Sequence, residues 1–147
     1  MSKYKKNITA LAENEPIIKP QFNIRGIELL HFTVSPPYNL TSKEFQFDVQ
    51  MNQEMSLKDK IVFSKITLAI KDIQGILLGN ISLLCTYEVE NLNTIALHKP
   101  SAAGLVIEFN QVTISTARGV MFGLFRGTAL HHAILPIVDA KAFKINQ

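Results

Sequence analysis

The chain changes its hydrophobic period once, and that change fixes the layer arrangement open to it. From Phe22 to Glu90 apolar residues recur at alternate positions; beyond Asn91 they recur at helical spacing. Glu44 to Gln53 shows the first regime best. Phe45, Phe47, Val49 and Met51 fall on one face, and Gln46, Asp48, Gln50 and Asn52 on the other. A strand with one wet face belongs in an antiparallel sheet. Ahead of it, Phe22, Ile24, Ile27, Leu30, Phe32 and Val34 shift phase near Gly26, which predicts a bulge in a first strand ended by Pro36 and Pro37. A loop spans Asn39 to Lys43, and a turn lies around Met55 to Asp59. Val62, Ile66, Leu68 and Ile70 share a face of a third strand, and Lys71 to Gly75 reads as a hairpin connection. The fourth strand runs from Ile76 to Glu90 with Leu77, Ile81, Leu83, Cys85, Tyr87 and Val89 inward. These strands predict a four-stranded antiparallel meander. Strands first and helices after predict an α+β fold with helices on one face of the sheet.

The helical part reads as a loop through Pro100, a short helix from Ser101 to Asn110 capped by Ser101, and a main helix from Ile114 to Thr128. The β-branched Val112-Thr113-Ile114 triplet lies between them. Pro136 breaks the next segment, and Asp139 caps a closing turn through Phe143. The main helix carries small residues at Ser115, Gly119, Gly123 and Gly127. Glycine costs about 1 kcal/mol against alanine inside a helix, so the stripe asks for a packing reason. Residues four apart share a face, where a second backbone can come close. The helix is also apolar nearly all round (Val120, Met121, Phe122, Leu124, Phe125), more than one small domain can bury. Ser115, Gly119, Met121 and Gly123 are therefore assigned to an oligomer interface.

At 147 residues the chain fits one domain: an arm over 1–20, polar and broken by Pro16 and Pro20, and a single domain over 21–147. Hydrophobic residues make up 47% and charged residues 18%, a surplus that suits an interface or a binding groove. No uncharged run reaches the roughly 18 residues of a membrane span, and the most apolar helix carries Arg118 and Arg126. The net charge of +3 comes without a basic stripe, which argues against nucleic acid. The basic start lacks the apolar run of a signal peptide, and the lone Cys85 allows no internal disulfide, so a cytoplasmic location is expected.

Candidate chemistry is sparse. The adjacent His131 and His132 would point to opposite faces of an extended chain, and no Cys, Asp or Glu stands at ligand spacing beside them, so no metal is expected. Cys85 sits mid-strand at an inward position and reads as inert core. Glu88 and Glu90 fit a solvated edge, and Gly119, Gly123 and Gly127 lie in a helix, not in a phosphate-binding loop. No constellation supports catalysis or a cofactor. Most of the nine phenylalanines are expected in the core. Phe32, Val34, Phe45, Phe47 and Phe122 are assigned to an open groove that would take apolar polypeptide segments. A small-molecule binder with a pocket between sheet and helices is the rival from another class.

The order Ala117-Arg118, an apolar helical stretch, Arg126-Gly127-Thr128, Leu135-Pro136 and Asp139 to Phe143 resembles the C-terminal half of the SecB protein-export chaperone family. Phe22-x-Ile24-x-x-Ile27 resembles its opening strand. The resemblance covers roughly Phe22 to Phe143. It implies a tetramer built as a dimer of dimers, ATP-independent holding of unfolded polypeptides in long apolar grooves, and delivery to the SecA motor. Family members that serve the motor are acidic. Here Leu30-His31-Phe32-Thr33-Val34-Ser35 lacks carboxylates and the chain is basic, which argues against the motor; a SecB-like chaperone dedicated to one client, such as an antitoxin, is the alternative to a general holdase.

Overall fold

In the computed structural model, residues 15–35 and 44–139 are described; the expected loop over 39–43 and most of the closing turn through Phe143 fall outside them. The strands are β1 (Phe22–Val34), β2 (Gln46–Ser56), β3 (Ile61–Lys71) and β4 (Leu77–Val89), followed by α1 (Leu92–Leu97) and α2 (Lys99–Phe125). They form the expected α+β arrangement, a four-stranded antiparallel sheet with the long helix against one face.

The strand order is β1-β4-β3-β2, so only β2, β3 and β4 run as a meander, and β1 pairs with β4 instead of β2. Connection length explains this correction. Residues 57–60 and 72–76 are short enough for hairpins, whereas residues 35–45, with Pro36 and Pro37, allow a crossing past two strands. The second hairpin is built on Asp72, whose Oδ1 accepts the backbone N–H of Gln74 and of Ile76 at 2.9 Å each. Gly75 supplies a φ of 84° that a side chain would resist.

β1 has the expected irregularity between Ile24 and Gly26 and a second between Leu29 and His31, so Leu29, not Leu30, joins the inward row. A shift at Ile70/Lys71 likewise leaves Leu77 exposed and buries Leu78. In both cases one extra residue flips which neighbour faces the core.

The helical region departs further from expectation. Leu92 and Ile95 are buried on α1, where a loop was expected. The two helices expected beyond Ser101 are one helix of 27 residues. Pro100 stands in its first turn, where proline's missing N–H costs nothing. Ser101 is therefore buried inside the first turn and is not its cap. The β-branched triplet stays helical because its burial outweighs a propensity deficit of about 0.5 kcal/mol per residue. Thr113 is fully buried there, with its hydroxyl against Tyr87 Oη (2.7 Å) and donating to Ser64 Oγ (3.0 Å).

The buried residues of α2 (Leu105, Phe109, Thr113, Ala117, Met121 and Phe125 among them) form one face over β3 and β4. Two clusters result. One joins Ile66, Leu68, Ile81, Leu83, Ile114, Met121 and Phe125; the other joins Val62, Cys85, Tyr87, Leu105 and Phe109. The helix ends at Phe125. Gly127, with φ of 79°, lies beyond it and does not continue the helical stripe. Thr128 Oγ1 donates to the Phe125 carbonyl (2.7 Å) and accepts from Leu130 N–H (3.1 Å). Arg118 reaches from mid-helix to the carbonyls of Leu135 (Nε, 2.8 Å) and Pro136 (Nη2, 2.8 Å), binding the following segment to α2.

Candidate functional site: an open apolar row on the edge strand

One helix is about 10–12 Å across, while strands stand about 4.8 Å apart, so α2 can cover about two of the four. It covers the central pair. The edge strands β1 and β2 carry inward apolar residues with less above them.

On β1 the inward residues face buried partners across the ladder: Ile24 opposite Tyr87, Ile27 opposite Cys85, Leu29 opposite Leu83 and Phe32 opposite Ile81. They lie on the helix side of the sheet, yet Ile24, Ile27 and Leu29 are 47%, 48% and 47% exposed. The ends of the row are closed. Phe22 packs edge-on against Phe109 at 4.7 Å, and Phe32 lies 5.6 Å from Phe125. The middle is an open apolar strip beside the outer edge of a strand that pairs with no further strand among the described residues. On β2 the corresponding Phe47, Val49 and Met51 are half-buried and lean on the first cluster.

Of the five groove residues expected from sequence, Phe32 and Val34 stand at one end of the β1 row, half-buried. Phe45 and Phe47 lie at the opposite edge of the sheet, about 14 Å away across three strand spacings, so the structure does not bring the two pairs into one groove. Phe122 projects from α2 with 61% exposure. Ile24 and Ile27 were not expected, because alternation alone marks a residue as inward, not as covered, and Leu29 was not, because the second register shift puts it in the row in place of Leu30.

Of the residues assigned to assembly, Ser115, Gly119 and Gly123 are exposed on α2, and a Cβ added at either glycine would meet nothing within 4 Å. Met121 is the correction. It is 1% exposed within the core and cannot reach a partner, because it lies on the sheet-facing side of the helix.

The polar candidates are dispersed. His131 and His132 sit in a turn, not on an extended chain, so their rings come together at 3.8 Å instead of diverging. Among the described residues no group of three or more His, Cys, Asp and Glu side chains could hold a metal ion. Cys85 is buried, and desolvation pushes its thiol above the ordinary value despite contacts with Tyr87 and Thr113. Burial likewise raises the Tyr87 hydroxyl. Two surface depressions are lined by described residues. One is on α2, lined by Gln111, Val112, Ser115 and Thr116; the other is on the outer sheet face, lined by Asn52, Glu54, Phe63, Lys65 and Leu84. No described helix is long and apolar enough to cross a membrane.

No family model and no curated protein matches the chain. Among solved structures, it is similar to the SecB-like chaperone Rv1957 of Mycobacterium tuberculosis, in complex with a ChAD peptide from the Rv1956 HigA1 antitoxin. Identity is 14%, with 80% of this chain and 90% of that chain covered and a TM-score of 0.49.

Proposed function

We propose that the protein is an ATP-independent chaperone of the SecB-like type, which holds unfolded or non-native polypeptides without catalysing a reaction. The observation that carries this reading is the exposed row of Ile24, Ile27 and Leu29 on β1, an edge strand of the described sheet. An extended apolar segment laid there loses water contact at about 25 cal/mol per Å². Its backbone can add hydrogen bonds to β1 that depend little on sequence. Low specificity follows, since neither contribution reads particular side chains closely.

The sequence resemblance supports the same reading through residues that act together in the fold. Arg118 holds the Leu135-Pro136 segment, and Thr128 closes the helix end. A homo-oligomer, with a dimer of dimers as the implied form, would use the smooth α2 face at Ser115, Gly119 and Gly123. The outer sheet face carries Glu28, Asp48, Glu54 and Glu88 beside Lys65 and Lys71, and the basic net charge of +3 sets the chain apart from the acidic motor-serving members, so docking to the SecA motor is not part of the proposal. We place the protein in the cytoplasm, where its single cysteine stays reduced.

The test is a chemically denatured model client diluted into buffer without nucleotide, followed by light scattering. Near-stoichiometric protein should suppress aggregation. Unchanged scattering at several-fold excess would contradict the proposal.

A further inference from the structure

Residues 15–21 form no helix or strand of their own, and the α1–α2 corner meets their backbone at four groups. Ser101 Oγ accepts the Ile18 N–H at 2.8 Å. Asn91 Oδ1 accepts the Gln21 N–H at 2.9 Å, while Asn91 Nδ2 donates to the Lys19 carbonyl at 3.0 Å. The Glu90 N–H donates to the Gln21 carbonyl at 2.9 Å. Glu15 Oε2 lies 3.0 Å from His98 Nε2, and the other ring nitrogen of His98 bonds Ser101 Oγ. Ile18 packs against the cluster that contains Tyr87, Leu105 and Phe109.

The residues making these contacts stand where helix caps are expected. Asn91 is the N-cap of α1 and His98 the N-cap of α2, yet neither side chain caps its own helix. Asparagine is among the best N-cap residues because its oxygen can take an orphan N–H. Here both polar atoms of Asn91 go to the arm. They bond a carbonyl and an N–H two residues apart, groups that point the same way on an extended chain, so the amide imitates a neighbouring strand. Ser101 is fully buried and its oxygen is committed to the arm in the same manner.

We propose that Asn91, His98 and Ser101 form a peptide-binding site for an extended segment with a carboxylate three residues ahead of an aliphatic anchor. Residues 15–21 are its resident occupant, and the arm exchanges for a segment of the same chemistry on another polypeptide. Contacts to the occupant are mostly main-chain, so the anchor and the carboxylate set the selectivity. The site uses no residue of the β1 row and stands apart from the holdase reading.

The probe is a labelled peptide of residues 15–21, Glu-Pro-Ile-Ile-Lys-Pro-Gln, titrated by fluorescence anisotropy into the full chain. Ile18→Ser in the protein weakens the resident arm, so the peptide should bind that variant at least tenfold more tightly than it binds wild type. Adding Asn91→Ala should abolish the gain. Equal affinity for wild type and I18S, or binding indifferent to Asn91→Ala, would overturn the proposal. A second measurement needs no variant. The Ile18 and Gln21 amides should be protected from hydrogen exchange in the wild-type chain and lose protection with excess peptide. Exchange at free-peptide rates without peptide, or protection unmoved by it, would also overturn the proposal.

Discussion

Gly79 and Tyr87 show how tightly individual positions of β4 are held. A Cβ on Gly79 would lie 2.7 Å from the Thr33 carbonyl oxygen and 2.9 Å from Leu130 Cδ1, so β1 itself would have to move. Gly79→Ala should destabilise the fold by about 1–3 kcal/mol in urea titration; an unchanged midpoint would contradict this packing. Tyr87 stacks on Phe109 at 4.3 Å with its hydroxyl on Thr113. The fold keeps the Cys85 thiol and the Tyr87 hydroxyl protonated by burying them, so both raised groups contribute stability that is complete below their unfolded values. That stability is lost as pH rises past about 9 for Cys85 and about 10 for Tyr87. Urea midpoints should fall through this window, and less steeply in Tyr87→Phe; an equally steep fall would show that Tyr87 is not responsible. Alternation revealed that Cys85 and Tyr87 point inward. The hydroxyl chain through Thr113 to Ser64 was not legible, since it joins residues far apart in sequence.

At the scale of elements, strand identity and inward faces of β2 and β3 were legible because period two survives any choice of neighbours. Strand order was not, because alternation says nothing about which edge a strand joins. The proline-containing connection over 35–45 was the available signal, too long for the hairpin that a meander needs between β1 and β2. The single long α2 was hidden by Val112-Thr113-Ile114, where burial overrides local preference. Its exposed glycines have a consequence of their own. With nothing near the added Cβ, Gly119→Ala should raise the stability of an isolated chain by up to about 1 kcal/mol. Gly123→Leu should lower the molecular mass seen by light scattering if the smooth face joins subunits. An unchanged mass would remove that role.

For the molecule as a whole, coverage of the sheet is the deciding feature. One helix cannot roof four strands, and the chain resolves this unevenly: β3 and β4 are sealed, β2 is half-covered, and the middle of β1 lies open. The residues expected in a groove are spread over both sheet edges, because aromatic content singles out Phe45 and Phe47 over the aliphatic Ile24, Ile27 and Leu29. Affinity for a permanently unfolded, fluorescently labelled polypeptide, compared between wild type and an Ile27→Lys/Leu29→Lys double variant of matching circular dichroism, tests the central claim most directly. Binding should be independent of nucleotide and weaken at least tenfold in the variant; equal affinity would contradict a client site on β1.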